Sequence, residues 1–249
     1  MRYLLLAAAL LVNPTAGWAQ MNLVPNPSFE LMDSCPNLFS GLDYCIKWFN
    51  PTLGTPNHFH SCSPVVSVPN NPLGFQVARS GNAYTGFAIQ QGGVREYLGV
   101  RLKDTLESQK TYCIEAYVSF ANNVMLASNS IGFYLSNQKI IDSDAVILAV
   151  VPQIHSPFSQ FLTDTSAWML VSGTFTAQGI ETFLTIGNFF EDGPTQFVNV
   201  NDLAYYTDFA YYYIEDVSLK ECTTNAVAVA DRTPLCLYPN PSSEDLYLE

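Results

Sequence analysis

Few side chains in this 249-residue chain could do covalent or metal chemistry, and their spacing limits them further. The histidines are His58, His60 and His155. His58 and His60 alternate with Cys62 on one side of an extended segment, and His-x-His is a spacing at which metals are held. No third ligand stands nearby and Cys62 is expected in a disulfide, so the segment reads as a loop without metal. No two cysteines have the Cys-x-x-Cys spacing that chelation from a turn requires. Nucleophilic hydrolysis finds no frame either, because the chain has neither a Gly-x-Ser-x-Gly elbow nor a His-Glu-x-x-His helix. The acids Glu191-Asp192 and Asp142 with Asp144 could serve glycoside cleavage only if they straddled a bond, and adjacency in sequence does not provide that. They read as turn acids, and the chain reads as a protein without a catalytic constellation.

Recognition chemistry is better represented. Arg95, Tyr97 and Arg101 alternate against Leu98, Val100 and Leu102, and Glu115, Tyr117 and Ser119 alternate against Tyr112, Ile114, Ala116, Val118 and Phe120. In each strand one set is core and the other faces outward. Tyrosine offers a flat ring to the apolar face of a pyranose, Arg and Glu satisfy hydroxyls, and Gly99 leaves room for close approach. Arg95, Tyr97, Arg101, Glu115, Tyr117 and Trp48 are therefore the carbohydrate-binding candidates. The competing reading is the ordinary polar exterior of a sandwich, where such cross-strand pairs are common. Trp168 opens a strand and is expected in the core. The tyrosines at 205, 206 and 211–213 divide between core and rim, and the rim could hold protein or glycan.

The elements that position these groups are strands. Charged residues make up 13% of the chain, about half the usual share of about 25%, and aromatics another 13%. The formal charge of −12 opposes nucleic acid and anionic membrane surfaces as partners. Strands are expected at Tyr84–Gln90, Arg95–Lys103, Tyr112–Phe120, Ser130–Ser136, Trp168–Ala177, Glu181–Phe189 and Ala210–Lys220, with turns at Gly92-Gly93 and Gln178-Gly179. Asn22–Glu30 is extended, because Pro25 and Pro27 hold their neighbours out of the helical region. Leu31–Gly74 reads as long loops, and Asp142–Val151 is the one candidate for a short helix. The pattern is all-β, an antiparallel two-sheet sandwich.

Residues 1–19 form a signal peptide: Arg2 supplies the positive charge, Leu4–Val12 the apolar stretch, and cleavage follows Ala19. The apolar run is too short to span a bilayer, which takes about 20 residues. All six cysteines, Cys35, Cys45, Cys62, Cys113, Cys222 and Cys236, follow the signal, and an even count in an exported chain favours disulfides. The trio Cys35, Cys45 and Cys62 staples the irregular stretch, although six cysteines allow 15 pairings. A domain at 20–221, a linker at 222–235 and a further segment at 236–249 complete the organisation.

Asn22-Leu-Val-Pro-Asn-Pro-Ser-Phe-Glu30 and Tyr212-Tyr-Ile-Glu-Asp-Val-Ser-Leu219 resemble the first and last strands of galactose-binding-like jelly rolls, in particular the carbohydrate-binding modules of the 4/9 type. Ala78–Gly86, Arg95–Leu98 and Trp168–Ala177 fall between them in the order that such domains show. The resemblance implies that the terminal strands lie side by side and that Glu30, Glu215 and Asp216 share a structural calcium ion, a hard cation that takes six to eight oxygens. Glu215 stands where these families usually have Asp. A second stretch, Leu237-Tyr-Pro-Asn-Pro-Ser-Ser-Glu-Asp-Leu-Tyr-Leu248, resembles the opening strand of the C-terminal sorting domain of type IX secretion substrates, a domain that needs several further strands. That resemblance implies passage through the periplasm to the surface or medium of a Gram-negative bacterium, with the secretion machinery as a partner. The function expected is non-catalytic binding of a glycan or a cell-surface partner. The alternative is a structural or adhesin-like surface protein without a small ligand, with a hydrolase behind both.

Overall fold

β-branched and aromatic residues recurring every second position need a partner strand on each side and a surface to bury one face against. The computed structural model describes residues 20–39, 41–143 and 146–222, and the backbone of 238–239 and 246–247. The stretch 1–19 read as a signal peptide, Asp144, Cys236 and nearly all of the stretch 222–235 read as a linker lie outside the described residues. In chain order the strands are β1 Trp48–Phe49, β2 Asn57–His60, β3 Asn70–Asn71, β4 Gly74–Phe75, β5 Ala83–Gln90, β6 Tyr97–Arg101, β7 Thr111–Phe120 and β8 Leu126–Ser128. There follow β9 Gly132–Ser136, β10 Ile154–His155, β11 Met169–Thr176, β12 Phe183–Gly187, β13 Phe197–Asn199, β14 Phe209–Glu221, β15 Tyr238–Pro239 and β16 Leu246–Tyr247.

Two five-stranded antiparallel sheets form a jelly-roll sandwich. The first runs β1-β6-β12-β9-β10 and the second β11-β7-β14-β5-β2. Leu98, Val100, Phe133, Leu135, Leu184 and Ile186 of the first sheet share one buried apolar cluster with Ile114, Ala116, Val118, Phe120, Phe87 and Tyr212 of the second. Each fully buried aliphatic or aromatic side chain contributes about 1.5–3 kcal/mol. Near the Cys-rich segment Phe29 and Trp48 pack with centroids 4.7 Å apart, and the Trp48 indole donates to Asn26 O at 2.9 Å.

The segment at 22–30 lies beside β14 without becoming a regular strand. Pro25 and Pro27 lack the N–H that a ladder uses, and Asn26 and Phe29 have φ of 47° and 61°. What pairing remains is Leu23 N–H to Leu219 O at 2.8 Å and Val217 N–H to Pro27 O at 2.9 Å. β14 itself is irregular between Glu215 and Ser218, where Asp216 has a positive φ of 50°. That irregularity turns Glu215 and Asp216 toward one loop.

Three expectations need correcting. The described residues hold no helix at 142–151: the N–H of Leu148 donates to the Tyr97 hydroxyl and the carbonyl of Val146 accepts from Arg95 N–H, which leaves them unavailable to a helical ladder. Residues 31–74 are not loops alone, because β2 pairs with β5 and extends the second sheet. Among the disulfide candidates, Cys35 bonds Cys62 and Cys113 bonds Cys222, while Cys45 is free and buried, with burial pushing its thiol pKa far up. Closing a loop with a separation of 109 residues, as Cys113–Cys222 does, contributes on the order of 4–5 kcal/mol by the loop-entropy argument.

Candidate functional site

The carbohydrate face expected from the sequence is not assembled. β6 belongs to the first sheet and β7 to the second, so Arg95, Tyr97 and Arg101 stand on the opposite exterior from Glu115, Tyr117 and Ser119. Arg95 and Tyr97 are also fully buried. The Arg95 guanidinium is paired with Asp192 and donates to Gly93 O at 3.3 Å, and the Tyr97 hydroxyl donates to Asn188 O at 2.7 Å. The room above Gly99 is taken by the Phe49 ring, 2.4 Å from where a Cβ would stand. Trp48 is a core residue. Arg101 alone of the first group is exposed. Ser119 lies beneath a covering segment, leaving Glu115 and Tyr117 reachable.

Aromatic and polar side chains are gathered instead on the outer face of the second sheet. Register places Phe59 of β2, Tyr84 of β5, Tyr211, Tyr213 and Glu215 of β14, Tyr117 and Glu115 of β7, and Leu170 and Ser172 of β11 on one side. Half of that face is roofed. Residues 63–77 cross over β2, β5 and the first half of β14, and leave Phe59, Tyr84 and Tyr213 with no exposure. The roof is held by side-chain chemistry rather than by regular structure. Asn71 donates to the Tyr84 hydroxyl at 3.1 Å and accepts from the Tyr213 hydroxyl at 2.8 Å. Gln76 accepts from the Ser119 hydroxyl at 2.7 Å, and its carbonyl accepts from Tyr84 at 3.2 Å. Val66, Val68 and Leu73 of the roof are buried in the main apolar cluster, together about 4–9 kcal/mol of burial.

Both ends of the roof are fastened. Cys62 is bonded to Cys35. At the other end residues 79–83 meet the three carboxylates to which the resemblance assigns calcium. Glu215 accepts Arg79 N–H at 2.6 Å and Ser80 N–H at 2.7 Å, and Glu30 accepts the N–H of Asn82 at 2.8 Å and of Ala83 at 2.9 Å. The Ser80 hydroxyl lies 2.9 Å from Glu215 and 2.7 Å from Asp216, and the Arg79 guanidinium pairs with Asp216. Gly81, at φ 62°, is where the loop comes closest to Glu30, since a Cβ there would lie 2.4 Å from a carboxylate oxygen. The expected acids are thus gathered, but around N–H donors. A cation would meet the positive ends of those dipoles, and no three His, Cys, Asp or Glu side chains form a metal-holding group among the described residues. Calcium does not fit this arrangement. Burial raises the Glu215 carboxyl to about 7 against the lowering effect of its donors.

The unroofed half of the face is a platform formed by β11, β7 and the end of β14. Glu115, Leu170 and Ser172 are exposed, while Tyr117, Trp168, Ser218 and Lys220 are half-buried. Glu115, Ser218, Lys220 and the Cys113–Cys222 disulfide line a shallow hollow of about 210 Å³. The platform ends at the roof: the Trp168 indole donates to Val77 O at 3.0 Å, its ring is 5.9 Å from Tyr84, and the Arg79 guanidinium lies over the Tyr117 ring. Trp168, expected in the core, stands on this outer face. Arg79, Asn71 and Gln76 escaped the sequence reading, since no periodicity marks a residue that reaches across from a loop.

The histidines are structural. His58 is buried with Nε2 2.9 Å from Phe29 O, and burial lowers its pKa to about 4, so it is neutral. His60 accepts Cys62 N–H at 3.0 Å, and His155 packs against Phe158 and Phe190. Of the tyrosine cluster, Tyr211, Tyr212 and Tyr213 are buried, while Tyr205 is 79% exposed.

No protein-family model and no curated protein sequence matches the chain. Solved structures are similar to it at low identity. The xylan-binding CBM22-1 domain of Paenibacillus barcinonensis Xyn10C is 13% identical with a TM-score of 0.40, over 83% of this chain and 97% of that one. The K3 cleaved adhesin domain of Lys-gingipain from Porphyromonas gingivalis is 13% identical with a TM-score of 0.38, over 71% and 93%. The enzymatically active domain of bacteriophage CBA120 tailspike protein 4 is 12% identical with a TM-score of 0.39, over 81% of this chain but only 21% of the tailspike chain.

Proposed function

We propose that this chain is an exported, non-catalytic module that binds carbohydrate on the unroofed half of the second sheet's outer face. The observation that carries the reading is the platform where half-buried Trp168 and Tyr117 meet exposed Glu115 and Ser172, with Arg79 and Lys220 at its borders. Aromatic rings supply apolar contact area at low entropic cost, and the surrounding carboxylate, hydroxyl and cationic groups fix the hydroxyls of a sugar. Export is supported by the signal pattern of residues 1–19 and by the two disulfides. Delivery to the surface or medium of a Gram-negative bacterium by the type IX machinery rests on the Leu237–Leu248 resemblance; there β15 and β16 pair antiparallel, Tyr238 opposite Tyr247.

The test is a glycan array probed with the full chain and with Trp168→Ala, Tyr117→Ala and Arg101→Ala, each checked for an unchanged melting midpoint. Truncating an aromatic anchor is expected to weaken binding by about tenfold or more, whereas Arg101→Ala, on the other sheet, leaves it intact. A silent array, or binding untouched by both aromatic variants, refutes the assignment.

One observation favours a second reading, adhesion to a protein. Val198, Val200, Leu203 and Tyr205 expose apolar surface within eight residues, Leu203 at 94%. Contiguous exposed apolar patches mark interaction sites. Loss of cell-surface attachment in Leu203→Ser/Tyr205→Ser with glycan binding preserved would support it.

A further inference from the structure

We infer that the platform takes the end of a glycan chain rather than a run of sugars within a polymer. The inference rests on the carbohydrate reading above and specifies its ligand class. It follows from where the sheet's outer face stops being available. Along β7 the platform ends after Tyr117, because the next outward residue, Ser119, has no exposure and bonds Gln76. Along β11 it ends at Trp168, whose indole is tied to the roof at Val77. Across the sheet it ends at β14, where Glu215 and Tyr213 lie under residues 71–80. A ligand seated against Trp168 and Tyr117 therefore meets a wall both along the strands and across them, and its chain continues only toward the β11 edge or the open Thr111–Thr176 end.

The wall is a fixed part of the fold. It is anchored by the Cys35–Cys62 disulfide on one side and by the contacts of Glu30, Glu215 and Asp216 with residues 79–83 on the other. Between these anchors its polar groups are spent on the hydroxyls of Tyr84, Tyr213 and Ser119. Those hydroxyls are the groups that would otherwise hydrogen-bond a polymer lying across the whole face. The roof thus occupies the through-path and leaves a corner that one terminal unit fills.

The experiment measures binding capacity against chain length at constant sugar mass. The probes are soluble xylan, hydroxyethylcellulose, mannan and galactan, each intact and after partial acid hydrolysis, with xylohexaose and cellohexaose as the short limit. Bound protein per unit mass is expected to rise in proportion to the number of chain ends, and one hexaose is expected to bind one chain. Capacity that stays constant per unit mass as the polymers are cut overturns the chain-end inference while leaving carbohydrate binding in place. Absence of binding to every probe and to the array overturns the carbohydrate reading and this inference with it.

Discussion

Replacing Asn71 by Ala tests whether residues 63–77 are a packed wall or a loose flap. The side chain has two partners on the sheet, the hydroxyls of Tyr84 and Tyr213. Tyr84 keeps an acceptor for its own proton in Gln76 O, so it loses one bond, about 0.5–1.5 kcal/mol. Tyr213 is fully buried, and its hydroxyl is left without an acceptor, which costs about 1–3 kcal/mol. The Leu73 N–H, which donates to Asn71 Oδ1 at 3.0 Å, also loses its acceptor and places the expected destabilisation in the upper part of about 2–4 kcal/mol. For a domain of this size that lowers the melting midpoint by about 4–15 °C. Urea denaturation gives the free energy, and the cycle with Tyr213→Phe isolates the pair. Removing the hydroxyl as well leaves no orphaned hydroxyl, only the Leu73 N–H, which is unpaired with or without it, so the double variant is expected to be more stable than the sum of the singles by about 1–2 kcal/mol. A loss below about 1 kcal/mol, or strict additivity, would refute the argument that these hydrogen bonds hold the roof down.

Two further outcomes follow from the carboxylates at the roof's end. The folded Glu215 carboxyl stands at about 7 against an ordinary value of 4.5, so the folded state keeps a proton that the unfolded chain has released. Its contribution to stability is full below pH 4.5 and is lost as pH rises through 7, a change of about 3 kcal/mol that Glu215→Gln is expected to abolish in a pH series of urea midpoints. A wild-type minus Glu215→Gln difference that is flat over this window contradicts the assignment. Millimolar calcium or a chelator is expected to leave the wild-type midpoint unchanged, because Arg79 and four backbone N–H groups already face Glu30, Glu215 and Asp216. An ion bound only by the folded state at 100 times its Kd would raise stability by about 2.7 kcal/mol, so a shift of that size would show that the acids turn to a metal.

Alternation was readable because β7 and β14 are central strands, buried on the inner face along nearly their whole length. Tyr112, Ile114, Ala116, Val118 and Phe120 are buried as their period demands, and every strand expected from residue 84 onward is present. Alternation assigns a residue to a face, but it does not say which sheet the face belongs to or what lies on it. β6 and β7 are neighbours in sequence and their outward residues look like one surface, yet the connection at 102–110 crosses from one sheet to the other. The same ambiguity hid the fate of Arg95. Its outward position was correct, but Asp192 pairs with its guanidinium and the N–H of Arg95 holds the segment carrying Val146, so an arginine read as wet is sealed.

The roof was illegible for a related reason. Residues 61–79 contain Pro64, Pro69 and Pro72 and almost no period, so they read as an irregular loop, and in backbone terms they are nearly that. What makes them structural is the reach of Asn71 and Gln76 to hydroxyls of Tyr84, Tyr213 and Ser119, contacts that span between 8 and 142 residues of sequence. A tyrosine on an outer face can be a ligand platform or the floor beneath a loop, and the residue type is the same in both. The difference is made by which groups already have partners: the hydroxyls of Tyr84 and Tyr213 are satisfied from the roof, whereas the half-buried Tyr117 ring lies at the roof's border with the Arg79 guanidinium over it. Of the expected candidates, Tyr117 and Glu115 stand on the open part of the second sheet's outer face, the surface to which binding is proposed. Trp168 stands on that surface and not in the core, because its indole donates to Val77 O at the roof rather than to a group between the sheets.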